Sequence, residues 1–471
     1  MKSKLVRRLS WTLFAGGLLM QAAVTRADTL PEALALTYLN NPTLNAARAG
    51  QRATDEQVPQ ALSGWRPTIT VNGDIQEVEG TSTTTSEGSP IGPAMGPTSI
   101  RRSLDRRPGS LTITLSQPIF RGFGTIEGTR AAEATVKAGQ QNLLATEQDV
   151  LFSAVQAYMD VYSGRQLVAL QQENVTVLRG QLSASNERFE VGEITRTDVA
   201  QSRASLSQSQ ATLADQQAIL GEAVARYVQI VGRAPGKLKY PSIQGLPSSL
   251  EGALAIAGET NPEILAAAFV EDAAFHNIGV QLAPLLPELS VRAEGNVNED
   301  FKGRNGDKSE SAAVGGFLTV PLYEAGLVYS RVREAKQLAS QRRIQIIEVA
   351  RSVRQAVAAA WSAYVSFRQI ISAAKQAVSA ARLALEGIRQ EFSAGTRTTL
   401  DILDAQAVVV TARTTQVNAE RNRVVAAYQL IAAIGRLTAR DLRLNVPYYD
   451  VEENYRAVRN KWIGTGVETV E

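Results

Sequence analysis

The chain has 471 residues, 44% of them hydrophobic and 20% charged, and contains no cysteine. That balance excludes a disordered chain, a disulfide framework and a thiolate metal site. The formal charge is +3, but five basic residues and no acidic ones fall within residues 1–27, leaving 44 basic against 46 acidic groups, so the remainder has no basic excess to recruit nucleic acid.

Taken in order, Lys2, Lys4, Arg7 and Arg8 precede the apolar run Leu9 to Met20, and Ala22, Ala23 and Ala27 follow. This is the pattern of a secretory signal over 1–27, cleaved after Ala27. No later apolar run reaches the ~18 residues of a membrane-spanning helix, so any crossing falls to strands. The next stretch, Leu30 to about Leu62, reads as one helix. Period-two alternation then predicts β-hairpins over 68–118 and 288–321, bracketed by Pro67, Pro118, Pro287 and Pro321, where residues lacking an N–H are expected outside the ladder. Between the strands, Glu79 to Gly109 and Glu299 to Ser311 are polar and turn-rich and read as loops. Trp65, Phe120 and Tyr323 stand at the strand boundaries, as an interfacial aromatic belt requires.

Long helices are predicted over 124–190 and 326–393, the first about 100 Å in length. Each ends in a glycine turn, 191–196 and 394–398, and returns as a helix over 197–231 and 399–436. Val199, Leu206, Leu213, Leu220 and Tyr227 recur every seven residues, as do Leu403, Val410, Val417, Val424 and Ile431, which predicts left-handed coiled-coil packing. A return helix covers half its partner, so the helix before the strands is expected to stack end to end upon it.

The whole unit is written twice. Asn41-Pro42 falls on Asn261-Pro262 at an offset of 220, and Pro118-Ile119-Phe120 falls on Pro321-Leu322-Tyr323 at 203. The repeats are 28–249 and 250–440, followed by a polar tail, 441–471, expected to wrap the rod near its middle. Four strands cannot close a barrel, and open edges are not tolerated in lipid, so the barrel is shared among two, three or four chains.

By these features the chain resembles the TolC family of outer-membrane efflux proteins. The resemblance covers Leu30 to about Ala439 and rests on the repeat, the Q-P-I-F and V-P-L-Y strand exits, V-G-(4 residues)-T-D-V from Val191, and G-T-R-T-(2 residues)-D-(2 residues)-D from Gly395. It implies an α+β membrane protein, a homotrimer with a 12-stranded barrel and a 12-helix periplasmic tunnel, in the outer membrane of a Gram-negative bacterium. It implies a periplasmic adaptor meeting the turns at Gly192, Glu193, Gly395 and Thr396, and an inner-membrane pump of RND or ABC type. Asp401 and Asp404 would form carboxylate rings at the tunnel mouth, where like-charge repulsion raises some of their pKa values. Thr197, Asp198, Phe392 and Arg397 would tie the hairpins shut. Some members carry a tyrosine where this chain has Phe392, so one closing hydrogen bond is absent and the gate is looser or held by apolar packing.

The function so implied is an exit duct passing drugs, toxic compounds or secreted proteins, without cofactor or covalent chemistry. The alternative is a periplasmic coiled-coil spacer without a pore. Gly122-Phe123-Gly124 invites a dinucleotide site, but the following helix is too long for a βαβ unit. His276 is the sole histidine and lacks a catalytic or metal-binding company in sequence, and Asp300 to Glu310 lacks calcium-loop spacing and reads as a solvated loop.

Overall fold

The computed structural model describes residues 27–86, 98–302 and 308–467. The predicted signal lies outside them except for Ala27, which with Asp28 forms strand β1 beside Lys237–Leu238 (β6), so the strand straddles the expected cleavage point. Where one lead-in helix is expected there are three: Leu30–Asn40 (α1), Pro42–Asp55 (α2) and Gln57–Leu62 (α3). Pro42 has no N–H to continue the ladder and keeps Asn41 out of helical geometry, at φ −68°, ψ 122°. The second lead-in breaks alike at Asn261-Pro262, into Leu250–Thr260 (α6) and Pro262–Leu282 (α7).

These breaks couple helices end to end. Asn41 Oδ1 accepts from Thr43 N and Leu44 N, at 2.9 and 3.3 Å, capping α2. Its Nδ2 donates to Ile230 O at 3.1 Å, in the last turn of Arg196–Val231 (α5). Asn261 caps α7 in the same way and donates to Ala433 O, 2.9 Å, at the end of Thr399–Ala433 (α9). A single amide thus satisfies donors at one helix start and an acceptor at another helix end. The lead-in helices stack on the return helices through these two side chains. Asn41→Ala and Asn261→Ala are each expected to cost about 1 kcal/mol from the lost cap alone. Amide exchange at residues 42–45 or 262–265 should quicken, while Asn→Asp keeps the cap and loses only the donated bond.

Gly124–Glu190 (α4) and Leu327–Ser393 (α8) are each 67 residues long, with cores built from the heptad positions of their partners. Every heptad residue of α5 and α9 named above is buried or half-buried. Toward the tips, α4 packs on α5, with Ser185 Oγ 3.0 Å from Ser202 Oγ and Asn174 bonded to Ser209. α9 lies against α4, fastened by Arg421–Asp160 and Arg413–Glu173 ion pairs at 2.6 and 2.7 Å. Toward the strands, α7 replaces α9 between α4 and α8, with His276 Nδ1 2.7 Å from Glu127 and Arg343 paired to Glu271 at 2.9 Å. The largest core cluster lies where these halves meet and includes Leu34, Tyr38, Tyr158, Tyr227, Val424 and Leu437.

The sheet is antiparallel, in the order β2 (Thr68–Ile75), β5 (Pro108–Arg121), β7 (Glu288–Asp300), β8 (Lys308–Thr319). Register places Val71, Ile113, Gly295 and Ala312 in one row, and Ile69, Leu115, Ala293 and Val314 in the next. One face is therefore apolar, while Thr70, Thr114, Glu294 and their neighbours form a polar face. The outer edges of β2 and β8 pair with nothing in the described residues.

Three expectations fail here. Pro118 lies inside β5, not beyond it, at a register shift between Pro118 and Phe120; a bulge is where a missing N–H does least harm. The Glu79 to Gly109 insertion is not a loop throughout. Val78–Ser86 (β3) and Thr98–Arg106 (β4) pair as an antiparallel hairpin beyond the sheet, built on β-branched threonines that suit a pleated backbone. Asp300 to Glu310 is likewise part strand: β7 runs to Asp300, and Glu299 pairs with Lys308. Lys302 bridges Glu77 and Asp105, and so satisfies two acids of the one three-carboxylate cluster found among the described residues.

The tail leaves the mid-rod core through Leu437, Ala439 and Leu444, all buried. Rather than encircling the middle, it climbs toward the strands. Tyr449 N donates to Tyr38 Oη at 3.0 Å, and the helix Val451–Val458 (α10) follows along α2, where Asn454 Nδ2 donates to the buried Asp55 at 2.8 Å.

Candidate functional site: the two hairpin tips

Each tip is built by the same local chemistry. Gly192 and Gly395 adopt φ +82° and +80°, a region closed to ordinary side chains but open to glycine. Glu193 N donates to Arg188 O and Gly192 N to Phe189 O; Thr396 N donates to Glu391 O and Gly395 N to Phe392 O, all at 2.9–3.0 Å. These paired bonds form a Schellman motif, which satisfies the last carbonyls of α4 and α8. The returning helices then start with capping boxes, Thr195 with Asp198 and Thr398 with Asp401.

The predicted site residues divide into those engaged within their own hairpin and those left outside. Asp198 receives hydrogen bonds from Thr195 N at 2.9 Å and Thr195 Oγ1 at 2.7 Å; the neighbouring Thr197 is exposed. Asp401 receives the same pair from Thr398, both at 2.8 Å, which holds its carboxyl below the ordinary carboxylate range, with the Arg397 charge adding to this. In a single chain the shift is thus opposite to the one expected from a ring of like charges. Asp404, one turn on, is exposed and points from the same helix start. Arg397 bonds Glu391 at 2.7 Å and lies 3.9 Å from Asp401, so within one chain it braces its own turn.

Phe392 is half-buried, packed with Ile388 against Leu385, Ile402 and Ala405. The guanidinium of Arg188, on the other hairpin, lies 4.5 Å over its ring, and Arg188 also stands 3.8 Å from Glu193. The sequence reading missed Arg188 and Glu391. The S/T-x-x-D caps were legible in T-R-T-D and T-T-L-D, but a contact between hairpins two hundred residues apart leaves no local pattern.

Gly122-Phe123-Gly124 proves to be a sharp strand-to-helix turn. Gly122 and Phe123 take φ +55° and +65°, and the absence of a side chain at Gly122 lets Ala283 approach. Among the described residues, no helix is long and apolar enough to cross a membrane.

Comparison with known proteins agrees with this arrangement. A family model described as outer membrane efflux protein matches residues 33–233 and 254–436. The outer membrane efflux protein BepC of Brucella suis is 38% identical over 457 residues, 97% of this chain and 94% of that protein. The outer membrane protein TolC of Escherichia coli is 24% identical, spanning 89% and 85% of the two chains. The solved Campylobacter jejuni CmeC outer membrane channel shares the fold at TM-score 0.74, with 16% identity over 92% of this chain and 89% of that one. The chain belongs to the outer membrane efflux protein family, channel proteins rather than enzymes, and acts as an outer-membrane exit duct for efflux or secretion.

Proposed function

We propose that three copies join β2 to β8 and close a 12-stranded barrel in the outer membrane, four strands from each chain. The helices continue it as a 12-helix tunnel through the periplasm. The single observation that carries this reading is the sheet: one apolar face, one polar face and two open edges. Such a sheet is stable in lipid only when its edges meet others like them. A coiled-coil spacer without a pore would have no use for the apolar face.

The repeats 28–249 and 250–440 supply alternate staves of the tunnel. Asp401 and Asp404 ring its periplasmic mouth, with Thr197, Asp198, Phe392 and Arg397 as gate contacts. The turns at Gly192, Glu193, Gly395 and Thr396 meet a periplasmic adaptor, which joins the duct to an inner-membrane pump of RND or ABC type. The polar turn surface, exposed at all four positions, supports this assignment. Drugs, toxic compounds and secreted proteins are the cargo classes.

Chemical cross-linking of the detergent-purified chain is expected to stop at three copies, and the same sample should open discrete conductance steps in planar bilayers. A monomer, or a trimer that carries no current, would overturn the reading.

A further inference from the structure

Each strand-to-helix exit at the base of the sheet needs a cover. Where β5 leads into α4, Gly122 and Gly124 lie against Ala283, whose 3-10 turn Ala283–Leu285 leads into β7. Phe120 packs edge-on to Phe123 there, centroids 5.1 Å apart. That cover comes from the strand next door, since β7 pairs with β5 and sets Leu289 opposite Phe120. Where β8 leads into α8, the described residues provide no strand next door. Leu322 and Tyr323 are 93% and 81% exposed.

The repeat offsets say what belongs there. Adding 203 to the β5 numbers and subtracting 220 from the β7 numbers carries the observed register to the open edge. Ser116 opposite Arg292 becomes Thr319 opposite Asn72, and Phe120 opposite Leu289 becomes Tyr323 opposite Ile69 of another copy. The chain leading into β2 also carries the C-terminal tail. Arg66 donates Nη1 to Lys461 O at 2.9 Å and lies 4.9 Å over the Trp462 ring. Arg459 holds Glu133 of α4 at 2.9 Å, fastening the tail just before this point. Trp462 and Ile463 are nonetheless 64% and 89% exposed, beside a cleft of 430 Å³ bounded by Pro59, Gln60 and Ser63.

We propose that the tail is an intersubunit clasp, with Trp462 and Ile463 packing on Leu322 and Tyr323 of the next copy. Both sides present bare apolar groups at the same level of the strands. A patch of this kind left open to water is costly, and continuity with the β2–β8 edge fixes its occupant. The clasp rests on the ring reading above.

The chain has no cysteine, so two engineered pairs separate the two ideas in the full-length protein reconstituted in phospholipid vesicles. Asn72→Cys with Thr319→Cys reports the strand edge; Ile463→Cys with Tyr323→Cys reports the clasp. Oxidation is expected to link both pairs between copies, giving ladders of up to three chains on a non-reducing gel. A linked strand pair beside an unlinked clasp pair overturns the clasp and leaves the ring standing. Quenching of Trp462 fluorescence by brominated phospholipid in that case would name lipid as the occupant instead. An unlinked strand pair overturns the ring and the clasp with it. As a second readout, Trp462→Ala should lower the temperature at which the oligomer dissociates in detergent, with Trp462→Phe restoring most of the loss.

Discussion

Replacing Asp401 and Asp404 by asparagine is expected to abolish block of the duct by multivalent cations, with a loss in apparent affinity of at least about 30-fold. On the proposed trimer six carboxylates would meet at one constriction, and a multivalent ion near several of them would gain from each in turn. Asparagine is the informative replacement. At Asp401 its Oδ1 still accepts from Thr398 N, so the helix start is kept and charge alone is removed. Alanine would remove the charge together with the half of the capping box that the Asp401 side chain supplies. The Thr398 bonds favour ionised Asp401, so its stabilising contribution is present above the ordinary carboxylate pKa and is lost as pH falls through its depressed folded value. Block by the Asp404→Asn variant, which keeps Asp401, should therefore weaken as pH falls through that depressed value. Single-channel recording with a trivalent cation added from the periplasmic side checks both points; block that survives the double replacement removes these residues from the constriction.

Much of this molecule is legible in its sequence because helix and strand periodicity are local. The heptads from Val199 and Leu403 become the buried seams of α5 and α9, and the glycine turns fall where the φ signature requires them. What escaped was of two kinds. The β3–β4 hairpin carries no apolar alternation, because neither of its faces needs a core; only its threonine content hinted at a pleated chain. In β8, for a related reason, Ala312, Val314 and Leu318 make an apolar face only when set beside β7. Long-range contacts were the second kind. Asn41 and Asn261 were visible as matched Asn-Pro steps, yet their donation to carbonyls of α5 and α9 depends on stacking that no local pattern encodes. The tail, guessed to wrap the middle, instead climbs to Arg66, a contact nearly four hundred residues away in sequence.

Arg188→Ala is expected to favour the open state of the duct by roughly 30-fold. Phe392 offers no hydroxyl for a closing hydrogen bond, but the guanidinium of Arg188 lies 4.5 Å over its ring and ties the first hairpin to the second. A cation–π contact at a partly exposed site is worth about 0.5–1 kcal/mol. Three such contacts around the proposed trimer would add to about 2 kcal/mol, enough to shift a two-state gate at the tips by that factor. On the proposed gate, this contact would stand in for the bond that a tyrosine would make. Phe392→Leu should therefore loosen the gate nearly as much as Arg188→Ala, since apolar packing with Ile388 and Leu385 survives while the ring face is lost. Arg188→Lys should be intermediate, its compact ammonium being more strongly hydrated and unable to stack. Phe392→Tyr keeps the ring face and adds a hydroxyl, so it should lower the resting conductance. Because Arg188 also stands 3.8 Å from Glu193, Glu193→Gln serves as the control that separates bracing of the turn from bracing between hairpins. Planar-bilayer conductance of the five variants decides the matter: equal opening by Glu193→Gln and Arg188→Ala would place the effect in the turn, and an unchanged Phe392→Leu would remove the ring from the gate.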